Sequence, residues 1–216
     1  MQATIQFAVN NDTLAEIFSD DEMLLIAEYA DNIERLFNDG DAVLRASGLY
    51  WYDEAHGFAA RLARQTGLSI EQTAAVLAAL SPCTSWANQV NFTLSFIQAV
   101  QAGADPHGIR APFTGANKVK AGRIIAGDLG ALKGVKVEMF RDNILGATNV
   151  ATVDRHALRI ALGREATSIE CATILTAKSR QRLCVVAAYH LAAKRLGYAV
   201  ANVQAATWTI FRGTAH

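Results

Sequence analysis

Residues 132–162, LKGVKVEMFRDNILGATNVATVDRHALRIAL, are the stretch around which we expect the rest of the chain to be organised. This stretch predicts a glycine-bearing turn, a helix that ends near Gly146, and a second helix that begins within TVDRHALRIAL. The backbone amides at the start of the first helix lie between Lys133 and Lys136, and unpaired amides at a helix N-terminus favour a phosphate. Asp154 opens the second helix. The stretch therefore predicts a phosphate-binding turn followed by a carboxylate, which suits chemistry on a nucleic-acid backbone or sugar.

The rest of the chain is large enough for one filled core, because it has 216 residues and 51% of them are hydrophobic. One compact unit, residues 1–216, is the first prediction. The alternative is two lobes, residues 1–110 with 165–216, and residues 111–164. The sequence has no apolar run of about 18 residues and no secretory leader, so we expect a soluble, cytoplasmic protein without membrane contact.

The three cysteines do not form a metal-binding or disulfide motif. Cys83, Cys171 and Cys184 lie far apart in the sequence, without any C-x-x-C pair. We therefore expect no metal site, no iron–sulfur cluster and no disulfide framework, and we interpret the thiols as small buried side chains.

The formal net charge is zero, but the charges are segregated along the chain. Residues 1–60 hold two basic and 12 acidic residues, residues 110–164 hold ten basic and four acidic, and residues 165–216 hold six basic and two acidic. A basic C-terminal half suits a nucleic-acid partner, with the acidic first quarter facing away or contacting another protein. The alternative is that these charges belong to solvated helix faces.

Helical periodicity predicts an all-α fold. The predicted helices cover residues 20–37, 51–67, 69–80, 84–103, 116–128, the two helices of the opening stretch, 179–197 and 201–213. Ser69 and Gln72 form a capping box at the start of the third helix, whose apolar surface nearly all round places it in the core. The remaining predictions are a loop that ends near Leu49, a proline-bearing linker or lobe boundary at 104–115, and a short strand or arm at 1–10. The stretch at 169–177 separates two predicted helices and has no assigned element.

Four segments follow one another in a recognisable order. They are AALSP at 78–82, NKVKAGRIIAG at 117–127, LKGVKVEMF at 132–140 and ATVDRHALRIA at 151–161. In this order and spacing the sequence resembles the helix-hairpin-helix DNA glycosylase superfamily, of which endonuclease III is a familiar member, in a divergent bacterial or bacteriophage form. The resemblance runs from about Val76 to Leu162, somewhat under half of the chain. It implies two helical lobes with a cleft between them, in a protein located at the nucleoid or, if phage-encoded, in the host cytoplasm.

The resemblance implies that the partner is double-stranded DNA carrying a modified base. Gly134 would let the backbone approach a phosphate, with amide donors near Gly134 and Lys136. In the family this turn often also holds a monovalent cation. The candidate DNA-binding residues are Lys133, Gly134, Val135, Lys136, Lys118, Lys120, Arg123 and Arg155.

Asp154 matches the essential aspartate of the family, which orients water or stabilises the cationic sugar that forms as the base leaves. An aspartate at this position is also a common helix cap, and the two roles are compatible. Glu138 stands where bifunctional members place a nucleophilic lysine, so the resemblance implies hydrolysis by activated water without strand cleavage. Apart from a cation at the turn, no cofactor is implied.

A flipped base needs stacking and edge contacts, and residues 81–88 occupy the segment where family members insert a side chain into the duplex. The alternative for each aromatic residue is a place in the core. The candidate base-pocket or intercalating residues are Ser81, Cys83, Trp86, Asn88, Trp51 and His56, with Gln204 and Trp208 as further candidates near the C-terminus.

Several functions remain open on this scaffold. The preferred one is hydrolysis of the N-glycosidic bond of a flipped modified base, with Asp154 as the catalytic residue. A phage enzyme of DNA base hypermodification is the second enzymatic option. A non-catalytic helix-hairpin-helix DNA-binding protein and a helical protein-interaction domain are the alternatives outside enzymology.

Overall fold

The computed structural model describes Leu14 and residues 16–214, and every regular element in this part of the chain is a helix. The predicted all-α class is therefore confirmed, while residues 1–10 lie outside the described residues. Short 3-10 helices are present at Pro106–Gly108 and Leu129–Ala131. The α-helices are α1 (Asp20–Asp39), α2 (Ala42–Leu49), α3 (Trp51–Thr66), α4 (Ile70–Leu80), α5 (Trp86–Gln101), α6 (Gly115–Ile125), α7 (Val135–Ile144), α8 (Arg155–Leu162), α9 (Ser168–Ile174), α10 (Arg180–Leu196) and α11 (Val200–Arg212). None of these described helices combines the length and hydrophobicity that crossing a bilayer requires.

The segment that ends near Leu49 was predicted as a loop but is a helix, α2, so that prediction was wrong. The stretch at 169–177, which had no assigned element, contains most of a second short helix, α9. Asp41 caps α2, since its side chain accepts hydrogen bonds from the amides of Val43 and Leu44. A capping box formed by Thr167 and Glu170 starts α9. Helices of seven or eight residues contain about two turns, too few for a clear apolar periodicity.

Residue contacts divide the chain into two units. Of the described residues, the first unit contains those up to Trp51 and those from Thr148 to Thr214, and the second contains Tyr52–Ala147. The predicted lobe at 111–164 has other bounds than the second unit, and the predicted single unit and its two-lobe alternative both stay predictions. The proposed linker at 104–115 lies within the second unit. The Lys118 ammonium holds it in place by donating to the carbonyls of His107 at 2.6 Å and Ile109 at 2.8 Å.

The first unit is built on α1, α8 and α10. A capping box of Ser19 and Glu22 starts α1, and the buried residues of this helix recur at spacings of three and four. The middle of α10 is fully buried, and the Tyr189 hydroxyl donates to the carbonyl of Ala157 on α8 at 3.4 Å. Burial of these faces holds the three helices together, and it fixes the position of α8, which Asp154 begins.

Helix α11 lies against α2 in the same unit. At Gly48 a side chain is excluded, because a Cβ atom would lie 2.4 Å from the Cα of Ala206. Asn202 on α11 also donates its amide to the carbonyl of Leu49 at 2.8 Å. These contacts hold α11 in place, and Trp208 near the end of this helix contacts Asp154.

The second unit surrounds α4, which is buried continuously from Thr73 to Leu80. This confirms the predicted core helix, and the predicted capping box of Ser69 and Gln72 is also present. Helices α6 and α7 both pack against α4. The turn between α6 and α7 is therefore presented by two helices that share one buried support.

The segregated charges are partly paired within the first unit. Arg180 of α10 bonds both carboxylate oxygens of Glu22, at 2.9 and 2.6 Å, and Arg195 bonds Asp31 and Glu34, each at 2.9 Å. The Arg180 guanidinium holds the pKa of Glu22 at about 2. These arginines of the C-terminal segment therefore balance acids of α1.

Candidate functional site

The turn before α7 has the backbone that its sequence predicts. Gly134 has a φ of +127°, which side chains rarely adopt, and it caps the N-terminus of α7. Its amide donates to Oε1 of Glu138 at 3.0 Å. The Gly134 amide was predicted to bind a phosphate. In the structure it donates its hydrogen bond to a carboxylate of the same chain. This role of Glu138 was missed, although an acid in the first turn of a helix is the sequence signal for it.

The lysines of the turn differ in their surroundings. Lys133 is exposed, whereas Lys136 is half-buried beside Val135. The Lys136 ammonium donates to the hydroxyl of Ser81 at 3.2 Å and lies 5.2 Å from the centre of the Phe140 ring. The structure therefore brings together a predicted phosphate-binding residue and the first residue of the predicted base-pocket segment.

The segment at 81–88 forms a tight turn before α5. Cys83 is exposed and has a φ of +64°, the only positive φ at a non-glycine residue in the described part of the chain. The turn is held from outside, because the Asn117 amide donates to the carbonyl of Pro82 at 3.0 Å and the Thr84 hydroxyl donates to that of Pro112 at 3.2 Å. The exposed thiol therefore stands on a fixed backbone.

Trp86 and Asn88 begin α5 and are both half-buried. The Trp86 ring meets the Phe58 ring edge to face, with 5.7 Å between the ring centres. The Asn88 amide nitrogen of the backbone donates to the Ser85 hydroxyl, which caps the helix. Both residues stay candidates for the base pocket, and one edge of Trp86 is already used inside the protein.

The basic helix before the turn contributes fewer surface cations than predicted. Lys118 is 9% exposed and its ammonium donates to the two loop carbonyls, so it has a role inside the protein, and its assignment to DNA stays a prediction. Arg123 is exposed, but its Nε donates to a carboxylate oxygen of Asp128 at 3.0 Å. Lys120 is exposed. Lys120, Arg123 and Lys133 are thus the exposed cations among the predicted DNA-binding residues of this unit, and Arg123 is paired with Asp128.

Trp51 and His56 belong to different units. Trp51 is 8% exposed in the first unit, which matches the alternative of a core position, and its assignment to the base pocket stays a prediction. His56 is exposed in the second unit, and its Nδ1 lies 2.9 Å from the carbonyl oxygen of Ile144. This bond to the end of α7 makes His56 a helix-end contact.

Asp154 caps α8 with one carboxylate oxygen. Its Oδ1 accepts from the amides of His156 at 2.8 Å and Ala157 at 2.9 Å. Its Oδ2 accepts from the indole Nε1–H of Trp208 on α11 at 3.4 Å, and the residue is half-buried. The two oxygens are therefore unequal: one is anchored by main chain, and the other has a single long bond among the described residues.

His156 lies next to this carboxylate in a partly aromatic environment. Burial lowers the pKa of its imidazole below the usual 6.5, and the nearby Arg212, Arg155 and Arg159 lower it further, against the opposing effect of Asp154. Its Nε2 lies 3.3 Å from a guanidinium nitrogen of Arg212, which can only donate, so the neutral ring carries its proton on Nδ1. That buried Nδ1 has no hydrogen-bond partner among the described residues.

The predicted site residues are distributed over both units. Asp154 and the exposed Arg155 belong to the first unit, and the turn with Lys133, Gly134 and Lys136 belongs to the second. Within the first unit the structure joins Asp154 with Trp208, and within the second it joins Lys136 with Ser81.

A cleft of about 490 Å³ in the first unit contains none of the predicted site residues. Its lining includes Asn32, Arg35, Leu36, Arg159, Arg164 and Phe211. Two of these arginines are paired, Arg159 with Glu165 at 3.1 Å and Arg164 with Glu170 at 2.8 Å. Gly40 and Gly163, which end α1 and α8, also line it, and helix C-termini disfavour anions. The cleft is therefore a poor phosphate site.

Comparison with protein families gives one match, to a family described as a family of unknown function (DUF7178), over residues 16–215. The chain belongs to this family. The match includes both units, and α11 with Trp208 falls inside it together with Asp154 and the turn. Neither the curated proteins nor the solved structures provide a match.

Proposed function

We propose that this protein is a DNA glycosylase-like enzyme that hydrolyses the N-glycosidic bond of a flipped, modified base, with Asp154 as the catalytic carboxylate. The observation that carries the proposal is the asymmetry of Asp154. Two main-chain amides hold Oδ1, while Oδ2 keeps capacity to accept a further hydrogen bond at a half-buried position. Such a carboxylate is fixed in direction and still available to a substrate.

The proposed reaction uses the charge of this carboxylate. As the bond between the base and C1′ breaks, its electron pair leaves with the base and positive charge develops on the sugar. The ionised Asp154 stabilises that charge and accepts a hydrogen bond from the water that attacks C1′. Water supplies the hydroxyl of the new sugar hemiacetal, and its proton balances the charge of the departing base.

Binding of DNA is assigned to the turn before α7 and its neighbours. Lys133 is exposed at the turn, and Lys136 lies beside Ser81, which itself begins the strained turn at Cys83. A phosphate at this position would displace the Glu138 carboxylate from the Gly134 amide. Because cation–phosphate contacts release counterions, the logarithm of the affinity should fall linearly with the logarithm of the salt concentration.

The test is release of free base from a panel of duplexes with modified bases, including hypermodified phage DNA, measured by mass spectrometry. Asp154→Asn is the decisive variant, since asparagine keeps the helix cap but lacks the charge. We expect wild type to release one base of the panel and Asp154→Asn to bind the same duplex without releasing it. If no base is released from any duplex, or if Asp154→Asn is as active as wild type, the proposal is wrong.

A non-catalytic DNA-binding protein is the second candidate, and a specific observation favours it. The bonds from His156 and Ala157 give Asp154 a complete structural role as a helix cap, independent of any reaction. This candidate predicts salt-dependent duplex binding that Lys133→Met weakens, with no base released. A hypermodifying enzyme would instead leave an altered base in the digested DNA, and a protein-interaction domain would show no salt-dependent DNA affinity.

A further inference from the structure

Trp208 lies in the penultimate turn of α11, a part of the chain outside the resemblance to the glycosylase superfamily. Its indole Nε1–H donates to Oδ2 of Asp154 at 3.4 Å. This is the oxygen that the main-chain amides leave unused. The orientation of the carboxylate plane therefore depends on a side chain from another helix.

The indole ring is itself held from two sides. The Arg212 guanidinium lies 5.4 Å from the centre of the ring, and the His156 imidazole approaches it edge to face, with 6.2 Å between ring centres. His156 also contacts Phe211, with 5.8 Å between ring centres, and bonds Arg212 through Nε2. Rotation of the indole away from Asp154 would disturb these contacts, which therefore favour the orientation in which its N–H points at Oδ2.

We propose that Trp208 is a positioning residue whose indole N–H fixes the second carboxylate oxygen of Asp154 for the reaction. This inference rests on the proposed function. The terminal torsion of an aspartate has a broad energy profile, so two bonds to Oδ1 leave rotation of Oδ2 only partly restricted. The third bond, from Trp208, removes that freedom and directs the remaining lone pair of Oδ2 toward the water and the sugar.

Two substitutions separate positioning from simple packing. Trp208→Phe keeps an aromatic ring for Arg212 and His156 but has no N–H donor. Trp208→Gln keeps an N–H donor but loses the ring. A positioning role predicts that Trp208→Phe lowers the single-turnover rate of base release by about tenfold, as expected for a lost bond to a charged group, with unchanged DNA affinity. Trp208→Gln should then be less stable but closer to wild type in rate.

The contact itself is tested by NMR on the full-length protein, independently of activity. Trp208→Phe identifies the indole Nε1–H signal of Trp208, and Asp154→Asn should shift that signal, because the charged acceptor is removed. If the signal shifts but Trp208→Phe releases base as fast as wild type, the positioning role is wrong while the proposed function survives. If wild type releases no base, the proposed function fails and Trp208 is a structural partner of the Asp154 cap.

Discussion

At the scale of single residues, Asp154 has a structural role that substitution can separate from its proposed chemical one. Its Oδ1 accepts from two amides at the start of α8. Asp154→Ala should lower the free energy of unfolding by about 1 kcal/mol, whereas Asp154→Asn should stay within a few tenths of wild type, because asparagine caps equally well. Urea denaturation of the three proteins measures this. Equal losses for both variants would mean that the charge, rather than the cap, stabilises α8.

Lys118 and Lys120 lie on the same helix, α6, but differ in burial. The Lys118 ammonium donates to two carbonyls of the loop at 104–115, whereas Lys120 is exposed. Lys118→Met should cost about 2 kcal/mol of stability, because the partly buried carbonyls lose a charged donor. Lys120→Met should cost less than about 0.5 kcal/mol, since Lys120 is exposed and surface substitutions have small effects.

Thermal or urea unfolding checks the Lys118 prediction, and duplex binding measured on the same samples separates the roles of the lysines. Lys120→Met is expected to weaken DNA binding, while Lys118→Met is expected to leave the affinity of the folded protein unchanged. A Lys118→Met variant that unfolds like wild type would show that the loop does not depend on this ammonium.

At the scale of the elements, local signals predicted what local interactions decide. The capping box of Ser69 and Gln72 and the burial of α4 were both predicted from adjacent residues. Lys118 was grouped with Lys120 among the DNA-binding candidates, but it is 9% exposed, and the sequence itself indicates the difference. Residues two apart on a helix point about 200° from each other, so Lys118 and Lys120 cannot share one exposed face.

Long-range contacts explain why the candidate site was predicted only in part. Asp154 and Trp208 are 54 positions apart, and nothing in the pattern around either residue indicates that the other is its partner. The pairing of Lys136 with Ser81 across 55 positions is hidden in the same way. The resemblance covered the segments at 76–162, so it could not indicate what α11 contributes to Asp154.

The turn before α7 combines the acidic Glu138 with the basic Lys133 and Lys136. Glu138 places a negative charge on the Gly134 amide, next to two lysines that are proposed to bind phosphate. Glu138→Gln can keep the bond to the amide through its own carbonyl oxygen, but it removes the repulsion toward DNA. Affinity for duplex DNA should therefore rise about fivefold at low salt, and the gain should shrink as salt screens the charge.

Glu71→Gln is the matched control for Glu138, because it removes an exposed acid from the first turn of α4 in the same unit. Binding isotherms at several salt concentrations distinguish the two. A gain of equal size for both variants would indicate a general effect of net charge and would remove Glu138 from the DNA-binding turn.

In the molecule as a whole, some acidic residues near the beginning of the chain form ion pairs with basic residues near its end. Arg180 and Arg195 on α10 pair with acids of α1, so the sequence segregation does not translate directly into a basic surface. These pairs are largely exposed, and exposed pairs contribute little to stability at ordinary ionic strength. Their importance lies in reducing the number of free cations that a nucleic-acid partner could use.

His190 and His156 should make the stability of the whole chain depend on pH. His190 is buried in α10, and burial lowers the pKa of its imidazole from 6.5 to about 4. Between about pH 4 and pH 6.5, His190 therefore binds a proton in the unfolded chain but not in the folded chain. Stability is fully present above about pH 6.5 and is lost progressively as the pH falls toward 4, and the lowered pKa of His156 acts in the same direction.

From these values, the free energy of unfolding should be about 2 kcal/mol lower at about pH 5 than at about pH 7.5. The carboxylates of Glu22 and Glu170, whose pKa values are held at about 2 by Arg180 and Arg164, remain ionised in the folded state over this interval. Urea denaturation at the two pH values measures the difference. It should persist in high salt, which screens exposed pairs but not burial, and it should become smaller in His190→Gln. A difference that salt abolishes would assign the pH dependence to the surface ion pairs instead.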